Sequence, residues 1–107
     1  MRTVEIAESD RSGEVDVSVN SFISIRLPEN PTTGYRWHLE RIPSCLKEEA
    51  DEFQQAEIPG VGVGGVRHIT LWKASPGKGE VVLKLYREWE GKDSSLREFS
   101  IRINDSH

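Results

Sequence analysis

Glu14-Val15-Asp16-Val17-Ser18-Val19-Asn20-Ser21-Phe22-Ile23-Ser24-Ile25-Arg26-Leu27 is the stretch on which the fold turns. In its first half Val15, Val17 and Val19 alternate with Glu14, Asp16 and Ser18. In its second half Ile23, Ile25 and Leu27 alternate with Phe22, Ser24 and Arg26. A period of two belongs to a strand with one buried face, because successive side chains leave a pleated sheet on opposite sides. Working outward, residues 3–6 form a short strand carrying Val4 and Ile6, and residues 9–13 form a polar turn that ends in glycine. Residues 35–40 place Tyr35, Trp37 and Leu39 on one face. Residues 42–55 are less regular: Pro43 and Cys45-Leu46 suggest a link, residues 47–51 are open between a helical turn and an exposed edge strand, and Phe53 holds a short strand.

Residues 57–65 read as a glycine-rich loop. Residues 66–74 follow as a strand whose inward face is open between Ile69 with Leu71 and Val66 with His68, Thr70 and Trp72. A turn at 75–79 leads to a Val- and Leu-rich strand at 80–87, a third loop at 89–93, and a last strand at 96–103 with Phe99, Ile101 and Ile103 inward. Seven or eight short strands, turns every ~8–12 residues and no convincing helix give an all-β fold, an immunoglobulin-like antiparallel β-sandwich.

The 107 residues fit one domain, 1–107, with one core. A net charge of -4 leaves no basic patch, so nucleic acid is not a partner: counterion release needs clustered Lys and Arg. Cys45 is the single cysteine, which excludes an internal disulfide and leaves the fold to packing. It reads as a small buried residue. The first twelve residues are charged and show no leader, so a cytoplasmic chain and a secreted chain trimmed of its leader would read alike. No apolar run approaches the ~18 residues of a membrane span, so no membrane partner is expected. The chain is read as a monomer that needs no cofactor.

Between two strands stands Asn30-Pro31-Thr32-Thr33-Gly34-Tyr35, a turn stiffened at several points. Pro31 fixes its own φ and restricts Asn30, the threonines are stiff at χ1, and Gly34 is free to take φ > 0. If strands run up and down, this loop, the glycine loop and the loop at 87–92 lie at one end. The three together would make a docking edge. Glycines expose backbone for strand-like pairing, and Arg87 and Trp89 are residue types that dominate interface energies.

Asn30-Pro31-Thr32-Thr33-Gly34-Tyr35, Gly62-Val63-Gly64-Gly65 and Arg87-Glu88-Trp89 resemble, in order and spacing, the NPTTG[YF], GxGG and RPW motifs of chagasin-type inhibitors of cysteine peptidases. The resemblance runs from Thr3 to Ile103. It implies an immunoglobulin-like sandwich whose three loops fill the active-site cleft of a papain-like cysteine peptidase, reversibly and tightly. Thr32, Thr33 and Gly34 would lie over the catalytic pair of the target, residues 62–65 along one side of the cleft, and Arg87 and Trp89 on the other. Glu88 departs from the pattern by standing where the family has proline. That loses a fixed φ and adds a negative charge at the edge.

Other classes have less support. His38, His68 and His107 are scattered over three elements, and no G-x-S-x-G or flanked cysteine marks a nucleophile, so an enzyme is not expected. The same scatter argues against zinc, which needs close ligand pairs. A carbohydrate-binding or adhesion-type sandwich is the alternative, provided that Trp37, Trp72, Trp89 and Tyr86 share an exposed face.

Overall fold

The computed structural model describes residues 2–58 and 62–106. Eight strands form two four-stranded sheets. In spatial order the first holds Thr3–Ala7 (β1), Phe22–Glu29 (β3), Gly62–Lys73 (β6) and Leu46–Ile58 (β5). The second holds Glu14–Val17 (β2), Arg97–Asp105 (β8), Gly79–Tyr86 (β7) and Arg36–Arg41 (β4). Each sheet is antiparallel through its last three members, while β1 joins β3 and β2 joins β8 in parallel. The segment between β1 and β2, with a 3-10 turn at Glu8–Asp10, therefore carries the chain from one sheet to the other and does not close a hairpin.

The alternating residues occupy the face their period predicts. Ile23, Ile25 and Leu27 of β3 are buried with Leu83 of β7 and with Phe99, Ile101 and Ile103 of β8, all in one cluster. Each side chain of this size stabilises the fold by about 1.5–3 kcal/mol when removed from water. Trp37 is also in the core, at 2% exposure. The two readings of β6 resolve in favour of Ile69 and Leu71, and two charges share their face: Arg67 and Lys73 are both buried. Lys73 Nζ donates to the Val17 carbonyl at 2.7 Å and to Asp105 Oδ1 at 2.5 Å, which ties β6 to both β2 and β8 of the opposite sheet.

Two expectations are corrected. Residues 47–51 take the edge-strand reading and not the helical turn, but the short strand expected around Phe53 is part of the same strand, 13 residues from Leu46 to Ile58 at the edge of the first sheet. Its Lys47, Glu48, Glu49, Asp51 and Glu52 explain why no alternation was legible. An edge strand with solvent on one flank tolerates charge on both faces, and that charge also discourages pairing with other chains. The glycine segment is the second correction. Gly62, Val63, Gly64 and Gly65 are part of β6, paired with Ile58, Glu57, Ala56 and Gln55 of β5, so what read as a loop is the mouth of a long hairpin. Residues 59–61 of that expected loop lie outside the described residues, as does His107.

Candidate functional site

At one end of the sandwich, β3 gives way to the turn at Pro31–Thr33, and Asn30 sets its shape. Asn30 Oδ1 accepts from the Thr32 backbone N–H at 3.1 Å and from Thr32 Oγ1 at 2.7 Å. Thr33 Oγ1 donates to the Asn30 carbonyl at 2.8 Å. Pro31 opens one turn of 3-10 helix, and Gly34 closes it at φ 80° while donating its N–H to the Pro31 carbonyl. Both threonine hydroxyls thus donate inside the loop. Their work is to hold the backbone in one shape, which removes an ordering cost from any binding event.

The base of this loop is closed by a carboxylate. Glu29, at 6% exposure, accepts from the Trp37 backbone N–H through Oε1 at 2.7 Å, while Trp37 Nε1 donates to the Pro28 carbonyl at 2.9 Å. Arg67 grips the same carboxylate at both oxygens, Nη2 to Oε2 at 2.7 Å and Nε to Oε1 at 3.2 Å, and also donates from Nη1 to Asp51 Oδ1 at 3.1 Å. Burial works against the Arg67 charge, but Glu29 and then Asp51 outweigh it and hold its pKa above the ordinary arginine value. Glu29, Asp51 and Arg67 were not among the expected site residues. The signal for them was present in the sequence: Glu29 continues the inward register of Ile23, Ile25 and Leu27, and Arg67 that of Ile69 and Leu71, with opposite charge.

The third motif meets the first directly. Arg87 Nε donates to the Thr33 carbonyl at 2.9 Å, and its guanidinium carbon lies 4.4 Å from the centre of the Tyr35 ring and 5.9 Å from that of Trp89. Trp89 is 74% exposed, and its indole covers Gly34 so closely that a Cβ there would stand 2.5 Å from Trp89 Cη2. Gly34 is therefore required twice, by its positive φ and by the indole above it. Glu88 turns toward β4. The two motifs form one block rather than two separate prongs.

Gly64 and Gly65 join this block through an open groove of about 460 Å³ that they line together with Asn30, Thr33, Tyr35 and the exposed Leu96. The two glycines differ in kind. A Cβ at Gly65 would stand 2.4 Å from Phe53 Cζ and 2.5 Å from the Gln54 carbonyl oxygen, so the fold itself demands glycine there. A Cβ at Gly64 would meet nothing within 4 Å. The pairing of β3 with β6 ends at Glu29 and Gly65, which leaves residues 62–64 bonded to β5 alone among the described pairings and one backbone edge open. Gly64→Ala is expected to leave Tm unchanged or slightly higher, since Ala restricts the unfolded chain more than Gly. Any function that needs a second chain at this edge should weaken several-fold, and thermal melts beside binding titrations separate the two effects.

The remaining candidates are dispersed. Trp37 is in the core, Trp72 packs on Phe22 with ring centres 4.8 Å apart, and Tyr86 stacks under His38, so these rings share no face with Trp89. The sugar-stacking platform is not assembled. Cys45 is buried at 3% exposure, and His68 Nε2 lies 2.6 Å from Ser24 Oγ on a different sheet from His38. Among the described residues no three His, Cys, Asp or Glu side chains stand together as a metal site, and no helix is long and apolar enough to cross a membrane.

Comparison with known proteins covers most of the chain. The family model described as Chagasin family peptidase inhibitor matches residues 16–103. Amoebiasin-1 of Entamoeba histolytica is 28% identical over 104 residues, covering 94% of this chain and 98% of its own. Chagasin of Trypanosoma cruzi is 25% identical over 104 residues, covering 92% of this chain and 94% of its own. The crystal structure of the cysteine protease inhibitor EhICP2 from Entamoeba histolytica matches with a TM-score of 0.89 at 26% identity, over 99% of this chain and 97% of that one.

Proposed function

The chain belongs to the Chagasin family of peptidase inhibitors, and from that premise we propose how it works: its three-motif end enters the active-site cleft of a papain-like cysteine peptidase and blocks it reversibly. It is an inhibitor and not an enzyme. In this reading Thr32, Thr33 and Gly34 form the tip that lies over the catalytic Cys–His pair, with Asn30, Pro31 and Tyr35 holding its shape. Gly62, Val63, Gly64 and Gly65 lie along one wall with their open backbone edge, and Arg87 and Trp89 cover the other.

The observation that carries the proposal is the 2.9 Å bond from Arg87 Nε to the Thr33 carbonyl. It fixes the tip and the exposed indole as one rigid surface before any partner arrives. Preorganisation of that kind lowers the cost of binding. The tip is also a poor substrate, because its backbone is locked by Pro31 and by hydrogen bonds from Asn30 and Thr33. Nanomolar inhibition needs about -12 kcal/mol. No single turn supplies that, whereas three contact regions burying about 1,600 Å² in total are the size of a standard protease–inhibitor interface.

Titration of papain with the purified chain tests the proposal. Activity should fall in proportion to added inhibitor at nanomolar concentration and return on dilution. Papain left fully active by micromolar chain would sink it.

A further inference from the structure

Glu88 is a motif residue whose side chain leaves the three-motif surface. The turn that carries it is closed by the N–H groups of Glu90 and Gly91, both donating to the Arg87 carbonyl, with Gly91 at φ 81°. On one side Arg87 fastens that turn to the first loop. On the other, Glu88 Oε1 stands 3.5 Å from His38 Nε2 and 3.9 Å from Arg36 Nη1, both on β4. The Arg36 distance is that of an ion pair and the His38 distance that of a close polar approach, and both are too long for strong hydrogen bonds. The His38 ring is stacked on Tyr86, centres 3.9 Å apart at 14°, and both of its nitrogens are shut off from solvent without a hydrogen bond. The Glu88 carboxylate faces Nε2.

Arg36 does not act alone. Its Nη2 also reaches Asp51 Oδ2 at 3.4 Å, and Asp51 Oδ1 takes Arg67 Nη1 at 3.1 Å. Charges of alternating sign therefore run from Glu29 through Arg67, Asp51 and Arg36 to Glu88, from the base of the first loop to the third turn.

We propose that Glu88 is a positioning residue: through Arg36 and His38 it fastens the turn at 87–91 to β4 and so fixes where Trp89 is presented to the peptidase. The inference rests on the reading of this end as the peptidase-binding surface. A proline at this position would restrain the backbone covalently. Glutamate leaves φ free, and the restraint comes from its side chain. A tether made of exposed ions is weak and is screened by salt, as a ring is not.

The test combines inhibition of papain by the parent, Glu88→Gln, Arg36→Gln and the double variant, at low salt and in about 0.5 M NaCl, with backbone ¹⁵N order parameters of residues 87–91 in the free chain. Glu88→Gln should weaken inhibition about two- to five-fold at low salt, the upper part of the range for exposed pairs. The double variant should lose less than the sum of the two single ones, because the Arg36–Glu88 contact is lost in both. Salt should shrink the gap, and order parameters at Glu88 and Trp89 should fall on substitution. Additive losses, tighter inhibition by Glu88→Gln, or order parameters that match the parent's overturn the proposal. A parent chain that leaves papain active would instead refute the surface's proposed function, and the order parameters would still decide the tether.

Discussion

Glu29→Ala is expected to cost about 3–5 kcal/mol of stability, the range for removing one partner of a buried ion pair. The substitution leaves the Arg67 guanidinium buried against Asp51 alone, and it strips the Trp37 backbone N–H of its acceptor. A buried charge stripped of its main, bidentate partner is the dominant loss, and the orphaned N–H adds to it. For a chain of this size the melting temperature should drop by more than about 10 °C. Urea unfolding at pH 7 measures it, and a loss under about 1 kcal/mol would show that water replaces the carboxylate. Glu29→Gln keeps an acceptor for Trp37 while removing the charge, and should fall between parent and alanine variant.

Trp89→Ala is expected to do the reverse. At 74% exposure the indole contributes little to the fold, and surface substitutions of this kind usually stay within about 0.5 kcal/mol. Its value to a complex is another matter. A tryptophan at the centre of an interface typically costs at least about 2 kcal/mol when truncated, which is roughly a 30-fold weaker inhibition constant. Inhibition of papain and thermal unfolding, measured on one preparation, check both halves. If the melting temperature falls as far as for Glu29→Ala, the indole is part of the fold and its role at the cleft fails. The two residues are neighbours through Arg87, the first loop and the Glu29 carboxylate, yet they divide stability and binding between them.

Where burial is one-sided, the fold was readable. Val15, Val17, Ile23, Ile25 and Leu27 alternate because one face of each strand meets the core, and that constraint writes a period of two into the chain. The full length of β5 escaped because an edge strand carries charge on either face, so only its edge character at 47–51 stood among the open readings. The glycines at 62–65 escaped because glycine is read as loop, whereas here Phe53 and the Gln54 carbonyl occupy the space where the Gly65 side chain would be. The motif residues were legible as types in order. What no local pattern contained was their mutual contact: Arg87 under Tyr35, the indole over Gly34, and the buried charges that hold the first loop from beneath. Such contacts join positions far apart in sequence, and no periodicity records them.

The parallel pairing of β2 with β8 reaches into a different subject, the birth of the molecule. Asn104 donates to Glu14 across a separation of 90 residues, and Lys73 meets Asp105 in the same corner. During synthesis β2 is exposed long before β8 exists. Until then the valines of β2 have no strand to pair with, and the second sheet can close only when β8 emerges. Closure of the second sheet should therefore wait for β8 and be slow for a domain of this size, in milliseconds to seconds as for other sandwiches dominated by distant contacts. An inhibitor built this way gains its function all at once, when β8 joins the sheet.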